Sequence, residues 1–400
     1  MKKNKKFKVC IFTGARSEYG LLKPLMEEIQ QDKDLELTLI VSGMHLSPEF
    51  GLTYTQIEED GFRIDEKIEI LMSSDSAIGV GKSMGLGLIG YAEALERLKP
   101  GVIILLGDRY ETFSMAIAAV LQNIPIAHIH GGELTFGAWD DAFRHSITKM
   151  SRLHFTCAKE YEQRVIQLGE HPGRVFNVGS LGVENYKNIP LLLKKEFYDL
   201  VGLNTEDAFF LVTFHPATLE GERNISHFKS LLEALSDERF ERVKLIFTQS
   251  NSDSYGRLIN EQISRFVKTN SHRSKVFDTM GQLKFLSAMK YASAMVGNSS
   301  SGIIEAPCFK IPVINIGDRQ KGRIRAKNII DCIPDKNTIV IALEKGLSPS
   351  FRQTLLNMKN PFQKPSTAKT IKDIIKTYNF KDQAAKEFFD LKPQPLKGKK

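Results

Sequence analysis

The segment at residues 131–150, GGELTFGAWDDAFRHSITKM, concentrates acidic and basic side chains within a short stretch of chain. It combines carboxylates, a guanidinium and an imidazole, namely Glu133, Asp140, Asp141, Arg144 and His145. The preceding AHIH adds His128 and His130. Carboxylates and imidazoles in different surroundings have different pKa values, so such a group can both remove and return protons. The segment is therefore a candidate acid–base site at the start of a predicted helix.

A salt-bridged helix face is the alternative interpretation of this segment. Asp140 and Asp141 lie four and three residues before Arg144, so the three side chains can share one helix face. That ladder does not account for Glu133 and the two histidines at the preceding strand end. Because the two glycines before Glu133 would let the backbone approach a ligand, we favour an active site.

A second candidate group follows the apolar run VIILL. In LLGDRYE, Asp108 and Arg109 come directly after the buried strand that this run predicts. An ionised carboxylate at that position needs a partner, and binding a sugar hydroxyl or acting as a general base would both suit it. Capping of the next helix is the structural alternative for Asp108.

GNSSSGIIEAP at residues 297–307 is the clearest signal for anion binding. Small residues precede an apolar helix, whose unpaired N–H groups and positive end attract a diphosphate; they are Ser299, Ser300, Ser301 and Gly302. Glu305, one turn further on, can bind ribose hydroxyls. A capped helix without a ligand is the alternative, and Glu305 would then only favour the helix dipole.

Four more side chains occupy loops that follow predicted strands. Arg16 in TGARSEYG, and Arg319 and Arg323 in GDRQKGR, are either phosphate ligands or surface arginines. His215 in FHPATLE is either a ligand or a hydrogen-bonded loop histidine.

Two nucleotide-binding motifs are excluded by the sequence. SDSAIGVGKS at residues 74–83 resembles a P-loop, but that motif requires glycine where Ser76 stands, so we predict a flexible loop over the cleft instead. No G-x-G-x-x-G follows the first predicted strand, which argues against a dinucleotide site.

Short apolar runs alternate with helical patterns along the chain. The strand-like runs are FKVCIFTG, LELTLIVSG, GVIILLGD and IPIAHIHG, and then AFFLVTFHP, RVKLIFTQS, SKVFDTM, SAMVGNSS and IPVINIGD. Continuous apolar strands indicate parallel sheets covered by helices on both faces. We predict an α/β protein with two Rossmann-like doubly wound domains that face each other across a cleft, an arrangement called GT-B.

These patterns also predict the domain organisation. We expect an acid–base domain at residues 1–185, an anion-binding domain at residues 186–365, and a C-terminal segment at residues 366–400. In that last segment a helix packs back onto the first domain and a basic tail follows. Because ligands bind beyond the carboxyl ends of parallel strands, the polar clusters would all line the cleft.

The composition sets limits on the function. The 400 residues are 42% hydrophobic and 26% charged, which is typical of a folded chain of two domains. Although the net charge is +8, dense basic runs occur only near the two ends, so we expect no nucleic-acid partner. Four cysteines without a CxxC pair argue against disulfides and a zinc site, and no apolar run suits a secretory signal or a membrane span. We expect a cytoplasmic protein without a membrane partner.

Together, these motifs resemble the hydrolysing UDP-N-acetylglucosamine 2-epimerases of sialic-acid and related nonulosonic-acid synthesis. The resemblance extends over nearly the whole chain and includes TGARSEYGLL, GMHLSPEFG, GDRYE, HIHGGE, DDAFRHSITKMS, FHPATL, GNSSSGIIEAP and INIGDRQKGR. Individually few of them are specific, but together they are typical of this family. The resemblance implies the GT-B fold, a nucleotide-sugar substrate, no cofactor and no metal. We also expect a homo-oligomer, either a dimer or a tetramer.

The resemblance implies roles for individual residues. It places the nucleotide diphosphate and ribose against Arg16, His215, Asn251, Ser299, Ser300, Glu305 and Arg319, to which we add Arg109, Ser301 and Gly302. For catalysis we predict Asp108, His130, Glu133, Asp140, Arg144 and His145, of which the resemblance supports Asp108, Asp140 and Arg144. Some family members carry Glu where His130 stands, whereas one bacterial branch carries His. Leu21 occupies a position that is Lys in some relatives, which weakens any phosphate role there.

The implied reaction inverts C2 of the sugar and releases UDP. Loss of the C2 proton and of the diphosphate gives a 2-acetamidoglucal; water then adds at C1 and a proton returns to the opposite face of C2, giving N-acetylmannosamine. Arginines and the positive helix end would carry the charge of the leaving group. The alternatives are the same reaction on UDP-N,N'-diacetylbacillosamine in legionaminic-acid synthesis, a non-hydrolysing epimerase, a GT-B glycosyltransferase and a non-catalytic nucleotide-sugar sensor.

Overall fold

A computed structural model describes residues 6–72, 74, 76–136, 138–250, 255–380 and 386–391. Its strands are β1 (Phe7–Thr13), β2 (Leu35–Ser42), β3 (Glu66–Ile68), β4 (Val102–Leu106), β5 (Ile126–Ile129), β6 (Leu153–Thr156), β7 (Val175–Asn177), β8 (Phe209–Thr213), β9 (Lys244–Thr248), β10 (Ser274–Phe277), β11 (Ala294–Gly297), β12 (Val313–Ile316) and β13 (Ile329–Cys332). Its helices are α1 (Arg16–Gln31), α2 (Tyr54–Glu59), α3 (Ala77–Leu98), α4 (Tyr110–Leu121), α5 (Asp140–Met150), α6 (Lys159–Gln167), α7 (Leu181–Asn188), α8 (Lys194–Val201), α9 (Arg223–Leu235), α10 (Gly256–Thr269), α11 (Gly281–Tyr291), α12 (Ser300–Ile304), α13 (Ala306–Phe309), α14 (Lys336–Leu347), α15 (Pro349–Leu355) and α16 (Thr367–Thr377).

The strands form two sheets. One has the order β3-β2-β1-β4-β5-β6-β7, and the other has the order β10-β9-β8-β11-β12-β13. The paired strands run parallel. Each order runs from the third strand to the first and continues with the fourth, which is the doubly wound Rossmann arrangement. The predicted α/β class with two Rossmann-like, GT-B-like units is confirmed.

The apolar strands are buried on both faces, as parallel sheets require. In β1, Val9 and Ile11 pack into one core cluster, whereas Cys10 and Phe12 pack into a second cluster on the opposite face. The second sheet is enclosed in the same way, and every residue of β8 is buried. Burial on both faces leaves the strand ends as the place for polar chemistry.

The nine predicted strands are present, but the prediction missed three short strands at or next to a sheet edge, β6, β7 and β13. They have four, three and four residues, and each includes polar residues that interrupt the continuous apolar run on which the prediction relied. At the C-terminal end, α16 packs against α1, and Lys376 binds Asp32 at 2.8 Å. The predicted C-terminal helix occupies only part of the segment at residues 366–400. Helix α16 ends at Thr377, and the described residues 386–391 are not helical. The predicted domain boundaries stay a prediction.

The prediction of a flexible loop at residues 74–83 is wrong. The helix α3 begins at Ala77, and the side chain of Ser76 caps it by accepting from the N–H of Gly79 at 3.1 Å. Each interior glycine disfavours a helix by about 1 kcal/mol, which is why the glycine-rich sequence suggested a loop. Packing of α3 along α4 compensates for this local preference.

Candidate active site

The carboxyl edges of the two sheets face each other. Loops that follow strands of the first sheet bond to loops that follow strands of the second. Arg323 binds Glu133 at 2.8 Å, and the N–H of Ile324 donates to the hydroxyl of Tyr161 at 3.0 Å. These contacts join the loop after β5 and helix α6 to the loop after β12, so the predicted polar clusters share one cleft.

Arg144 of α5 is almost fully enclosed in this cleft, with 1% of its side chain exposed. Its guanidinium forms an ion pair with Asp108, which follows β4. It also donates to the carbonyl of Glu133 and to Oγ1 of Thr135, each at 3.0 Å, and lies 3.3 Å from Oδ1 of Asp141. The structure therefore brings Asp108, Glu133 and Arg144 together, although they come from three separate segments.

His130 lies directly beyond β5 in a rare backbone conformation. Its φ of +69° falls in the left-handed region, which side chains other than glycine seldom adopt and which is common at functional sites. Its Nδ1 lies 2.7 Å from Oε1 of Glu133, while its buried Nε2 has no hydrogen-bond partner among the described residues. A carboxylate acceptor holds the proton of a neutral imidazole on Nδ1, so Nε2 is left to exchange a proton with a ligand.

Glu133 is shared between several partners. Its Oε1 also accepts from the thiol of Cys157 at 3.2 Å, and its Oε2 binds Arg323. Burial raises the pKa of Glu133, but Arg323 and His130 outweigh burial and lower it to about 2. His130, Glu133 and Cys157 place three potential metal-ligand atoms within 4.8 Å of one another. The guanidinium on Glu133 competes for the carboxylate that such an ion would need.

The remaining predicted catalytic residues lie at the start of α5. Asp140 is the first helical residue and is partly exposed. One turn further on, Nε2 of His145 lies 3.6 Å from Oδ2 of Asp141, and burial lowers the pKa of His145. Glu133 does not belong to this helix as expected, because residues 131–136 form a loop before it.

Two residues near the start of the segment at residues 131–150, His128 and Gly132, have a structural role. His128 is fully buried between the carbonyl of Gly107, 2.8 Å from Nε2, and the hydroxyl of Thr148, 3.1 Å from Nδ1; burial lowers its pKa to about 3. Gly132 has a φ of +81°, and a Cβ there would lie 2.4 Å from the carbonyl of Tyr161. The expectation that this glycine lets the backbone approach a ligand is therefore wrong, since it approaches α6.

On the second sheet, Asn298 joins the ends of β8 and β11. Its side chain accepts from the N–H of His215 at 2.8 Å and donates to the carbonyl of His215 at 2.7 Å. Its own carbonyl accepts from Arg319 at 3.2 Å and from Gln320 at 2.8 Å. His215 and Arg319 thus meet at the point where the strand order reverses, which is where doubly wound sheets bind ligands. The sequence did not predict Asn298.

The serine-rich segment lies beside them. Ser299 caps α12 by accepting from the N–H of Ser301 at 3.3 Å, and Ser300 is partly exposed at the edge of the cleft. Gly302 packs closely against β12, because a Cβ there would lie 2.8 Å from the side chain of Val313, and its role as a ligand stays a prediction. Glu305 is buried, and burial raises its pKa to about 8.

In the first sheet, a carboxylate from the start of α1 binds the backbone N–H groups of the loop after β1. Glu18 accepts from the N–H groups of Gly14 at 2.7 Å and Ala15 at 3.1 Å, which are the groups that a phosphate would otherwise use. Nη1 of Arg16, in contrast, is buried without a hydrogen-bond partner among the described residues.

Three other residues singled out in the sequence have different surroundings from Arg16. Arg109 forms an ion pair with the buried Glu111 at 3.0 Å. Asn251 lies outside the described residues. Arg323, for which the sequence left two interpretations open, pairs with a side chain that stands far away in the sequence, so no local signal could have identified its partner.

Residues 27–376 match the sequence profile of the UDP-N-acetylglucosamine 2-epimerase family. The chain belongs to this enzyme family. It is 47% identical to a Campylobacter jejuni protein named GDP/UDP-N,N'-diacetylbacillosamine 2-epimerase (hydrolyzing), covering 96% of this chain and 100% of the relative. It is 38% identical to polysialic acid biosynthesis protein P7 of Escherichia coli, covering 96% and 97%.

A solved structure of a family member has the same fold. The Methanocaldococcus jannaschii UDP-GlcNAc 2-epimerase, in complex with UDP-GlcNAc and UDP, superposes with a TM-score of 0.78 at 20% identity, covering 92% of this chain and 99% of that one. The family predicted from the motifs is confirmed. In the part of the chain that the structure describes, every helix is too short or too polar to cross a lipid bilayer.

We expect Glu305→Gln to flatten the pH dependence of stability. Because the pKa of Glu305 rises from 4.5 to about 8, the folded state keeps a proton that the unfolded state has lost. The contribution of Glu305 to the stability of the folded wild-type chain is therefore fully present below pH 4.5. It is lost as the pH rises toward 8. Thermal melts between pH 5 and pH 8 should show a smaller loss of Tm in the variant.

Glu96→Gln is the matched control, because the carboxylate of Glu96 is 71% exposed and pairs with a surface lysine, Lys99. It should keep the wild-type slope of Tm against pH. A wild-type slope in Glu305→Gln as well would show that Glu305 is ionised in the folded chain at pH 5.

Proposed function

We propose that this chain is a hydrolysing 2-epimerase that converts UDP-N-acetylglucosamine into N-acetylmannosamine and UDP, in sialic-acid-type sugar synthesis. The observation that carries the proposal is the buried Nε2 of His130, which has no hydrogen-bond partner among the described residues, while Nδ1 of the same ring is held by Glu133. Imidazole groups exchange protons near neutral pH, where an ordinary carboxylate is a poor acid. Inversion at C2 requires this kind of proton exchange.

The reaction divides into two steps. In the first, a base takes the C2 proton, the C–H electrons form the C1–C2 double bond, and the C1–O bond breaks to release UDP. In the second, a water molecule adds its hydroxyl to C1, and an acid donates a proton to the opposite face of C2. Two acid–base groups on different faces of the sugar are needed, and we assign them to His130 and to the carboxylates of Asp108 and Asp140.

The diphosphate is assigned to the second sheet. Arg319 and His215 are joined through Asn298 at its reversal of strand order, and Ser300 begins α12 directly after this point. From the first sheet we add Arg16, which begins α1 and has a buried guanidinium nitrogen without a hydrogen-bond partner among the described residues. Positive groups fixed in this way stabilise the charge that develops on departing UDP. Buried Glu305 stands one turn beyond Ser301, where the ribose hydroxyls are expected.

UDP-N,N'-diacetylbacillosamine is the second candidate substrate. The Campylobacter jejuni relative that is 47% identical to this chain carries this sugar in its name. Compared with N-acetylglucosamine, it has an acetamido group at C4 and a methyl group at C5, so the chemistry at C1 and C2 is unchanged. Comparing kcat/KM for the two UDP-sugars decides between them.

Turnover in D2O tests the reaction itself. We expect the free product sugar to carry one deuterium at C2, because the abstracted proton is replaced from solvent, and UDP to appear in equal amount. Mass spectrometry and proton NMR of the products measure both. Product that keeps protium at C2 would exclude elimination, and a product sugar still joined to UDP would identify a non-hydrolysing epimerase.

Arg319→Ala should weaken UDP binding by about 10- to 100-fold, since a charge-assisted hydrogen bond contributes about 1.5–3 kcal/mol. Ser300→Ala should weaken it by less, about 2- to 10-fold, because only a neutral hydroxyl is lost. Isothermal titration calorimetry with UDP measures both. Lys321→Ala is the control, since Lys321 lies in the same loop as Arg319 and is 60% exposed. Unchanged affinity in both test variants would remove Ser300 and the loop of Arg319 from the diphosphate site.

We also propose a homo-oligomer in the cytoplasm. Ile78, Leu86 and Ile89 are 73%, 46% and 64% exposed along α3, and a solvent-exposed apolar stripe on a helix is a typical contact surface. Ile89→Glu should lower the mass measured by light scattering to that of a smaller assembly. Ile341→Glu, at an equally exposed isoleucine on α14, should leave the mass unchanged. An unchanged mass in Ile89→Glu would exclude this face.

A further inference from the structure

Glu133 and Arg323 connect the two sides of the cleft. Glu133 follows β5 of the first sheet, and Arg323 follows β12 of the second sheet. Nη1 of Arg323 lies 2.8 Å from Oε2 of Glu133, and the two side chains are 10% and 3% exposed. Because each residue is carried by its own sheet, this ion pair forms only when the two edges of the cleft approach each other as they do here.

The same carboxylate holds His130. Oε1 of Glu133 lies 2.7 Å from Nδ1 of His130, so one carboxylate has the guanidinium on one oxygen and the imidazole on the other. The Arg323–Glu133–His130 series thus runs from the anion-binding loop of the second sheet to the acid–base group of the first. Arg319, the proposed diphosphate ligand, lies in the same loop as Arg323.

The charges in this series act on the imidazole in opposite directions. An ionised carboxylate beside an imidazole favours the protonated, positively charged ring. A guanidinium bound to that carboxylate compensates its charge and adds its own repulsion, which favours the neutral ring. All three groups are nearly buried, so solvent and salt screen these interactions only weakly.

We propose that Arg323 is a positioning residue that acts through Glu133 to make His130 a proton acceptor when the cleft closes. With the cleft open, Glu133 faces the imidazole without Arg323, and the charge of its carboxylate favours the protonated ring. Closure brings Arg323 onto Glu133, and Nε2 becomes available as a base next to the bound sugar. The role of His130 as a base rests on the proposed function, whereas the link from Arg323 to its protonation does not.

The other charged and titratable groups around this pair do not provide the same link. Among the described residues they come from β5, α5, the residue after β6, α6 and the end of α12, and they are His128, Arg144, Cys157, Tyr161, Arg164 and Glu305. All except Glu305 belong to the first sheet and its helices, so they keep their distance from His130 whether the cleft is open or closed. Glu305 belongs to the second side, but burial raises its pKa to about 8 and keeps it protonated at neutral pH. Arg323 is thus the charge that closure adds.

Histidine NMR tests the link directly. In protein labelled with carbon-13 at histidine Cε1, with His130→Ala used to assign the resonance, the titration midpoint of His130 is followed against pH. We expect Arg323→Gln to raise this midpoint by about one pH unit or more, because Glu133 is left uncompensated. Arg323→Lys keeps the charge and should stay closer to the wild-type midpoint. Lys321→Gln removes a charge from the exposed part of the same loop and should leave the midpoint unchanged.

A double-mutant cycle separates action through Glu133 from a general field effect. Glu133→Gln should lower the midpoint of His130, and Arg323→Gln added to Glu133→Gln should change it by much less than Arg323→Gln alone. Equal midpoints in wild type and Arg323→Gln would overturn the proposal. An additive cycle would overturn it as well, since Arg323 would then act without Glu133.

These measurements do not depend on turnover, so the two proposals can fail separately. If Arg323→Gln raises the midpoint of His130 but the wild-type chain converts no UDP-sugar, the link is supported and the proposed reaction is contradicted. Deuterium at C2 of the product together with an unshifted midpoint would support the reaction and overturn the link. In an active chain, Arg323→Gln should also move the acidic limb of the kcat profile to higher pH, while a change confined to KM would identify Arg323 as a substrate ligand and overturn the positioning role.

Discussion

The site depends on the buried guanidinium of Arg144. A charge with 1% of its surface exposed is stable only if every donor finds an acceptor, because the desolvation cost is otherwise several kcal/mol. Arg144 meets this demand with Asp108 after β4, the backbone and side chain of the loop after β5, and Asp141 on its own helix. The requirement to satisfy one cation thus fixes three segments of the first sheet relative to one another.

We place the proposed anion site on the second sheet, because the backbone N–H groups after β1 of the first sheet are already bound by a side chain. In a doubly wound sheet the loop after the first strand is the ordinary phosphate position. Here Glu18 occupies the N–H groups of that loop. The equivalent switch point of the second sheet instead collects Arg319, His215 and the serine-rich segment around Asn298. With the acid–base groups on one sheet and the anion ligands on the other, as we propose, the reaction would depend on closure of the cleft.

Much of the architecture could be predicted from the sequence because the controlling pattern is local. Buried parallel strands are continuous apolar runs, and the polar residues that follow them occur at the strand ends in the structure, as with Asp108 after β4 and His130 after β5. The helix α3 could not be predicted, because its stability comes from packing on α4 and opposes its glycine-rich sequence. The pairing of Glu133 with Arg323 could not be predicted either, since it depends on how two separately folded sheets approach.

The identity of residue 130 follows from the same constraints. The left-handed backbone there excludes most side chains, but histidine is among the few residues that adopt it more readily. In the family members that carry Glu at this position, a second carboxylate would stand near hydrogen-bond distance of the one at Glu133. Two carboxylates that close cannot both be ionised, so one of them keeps a proton at neutral pH. Under the proposed function, a histidine bound to Glu133 and a glutamic acid that shares a proton with it would both place an exchangeable proton at the end of β5.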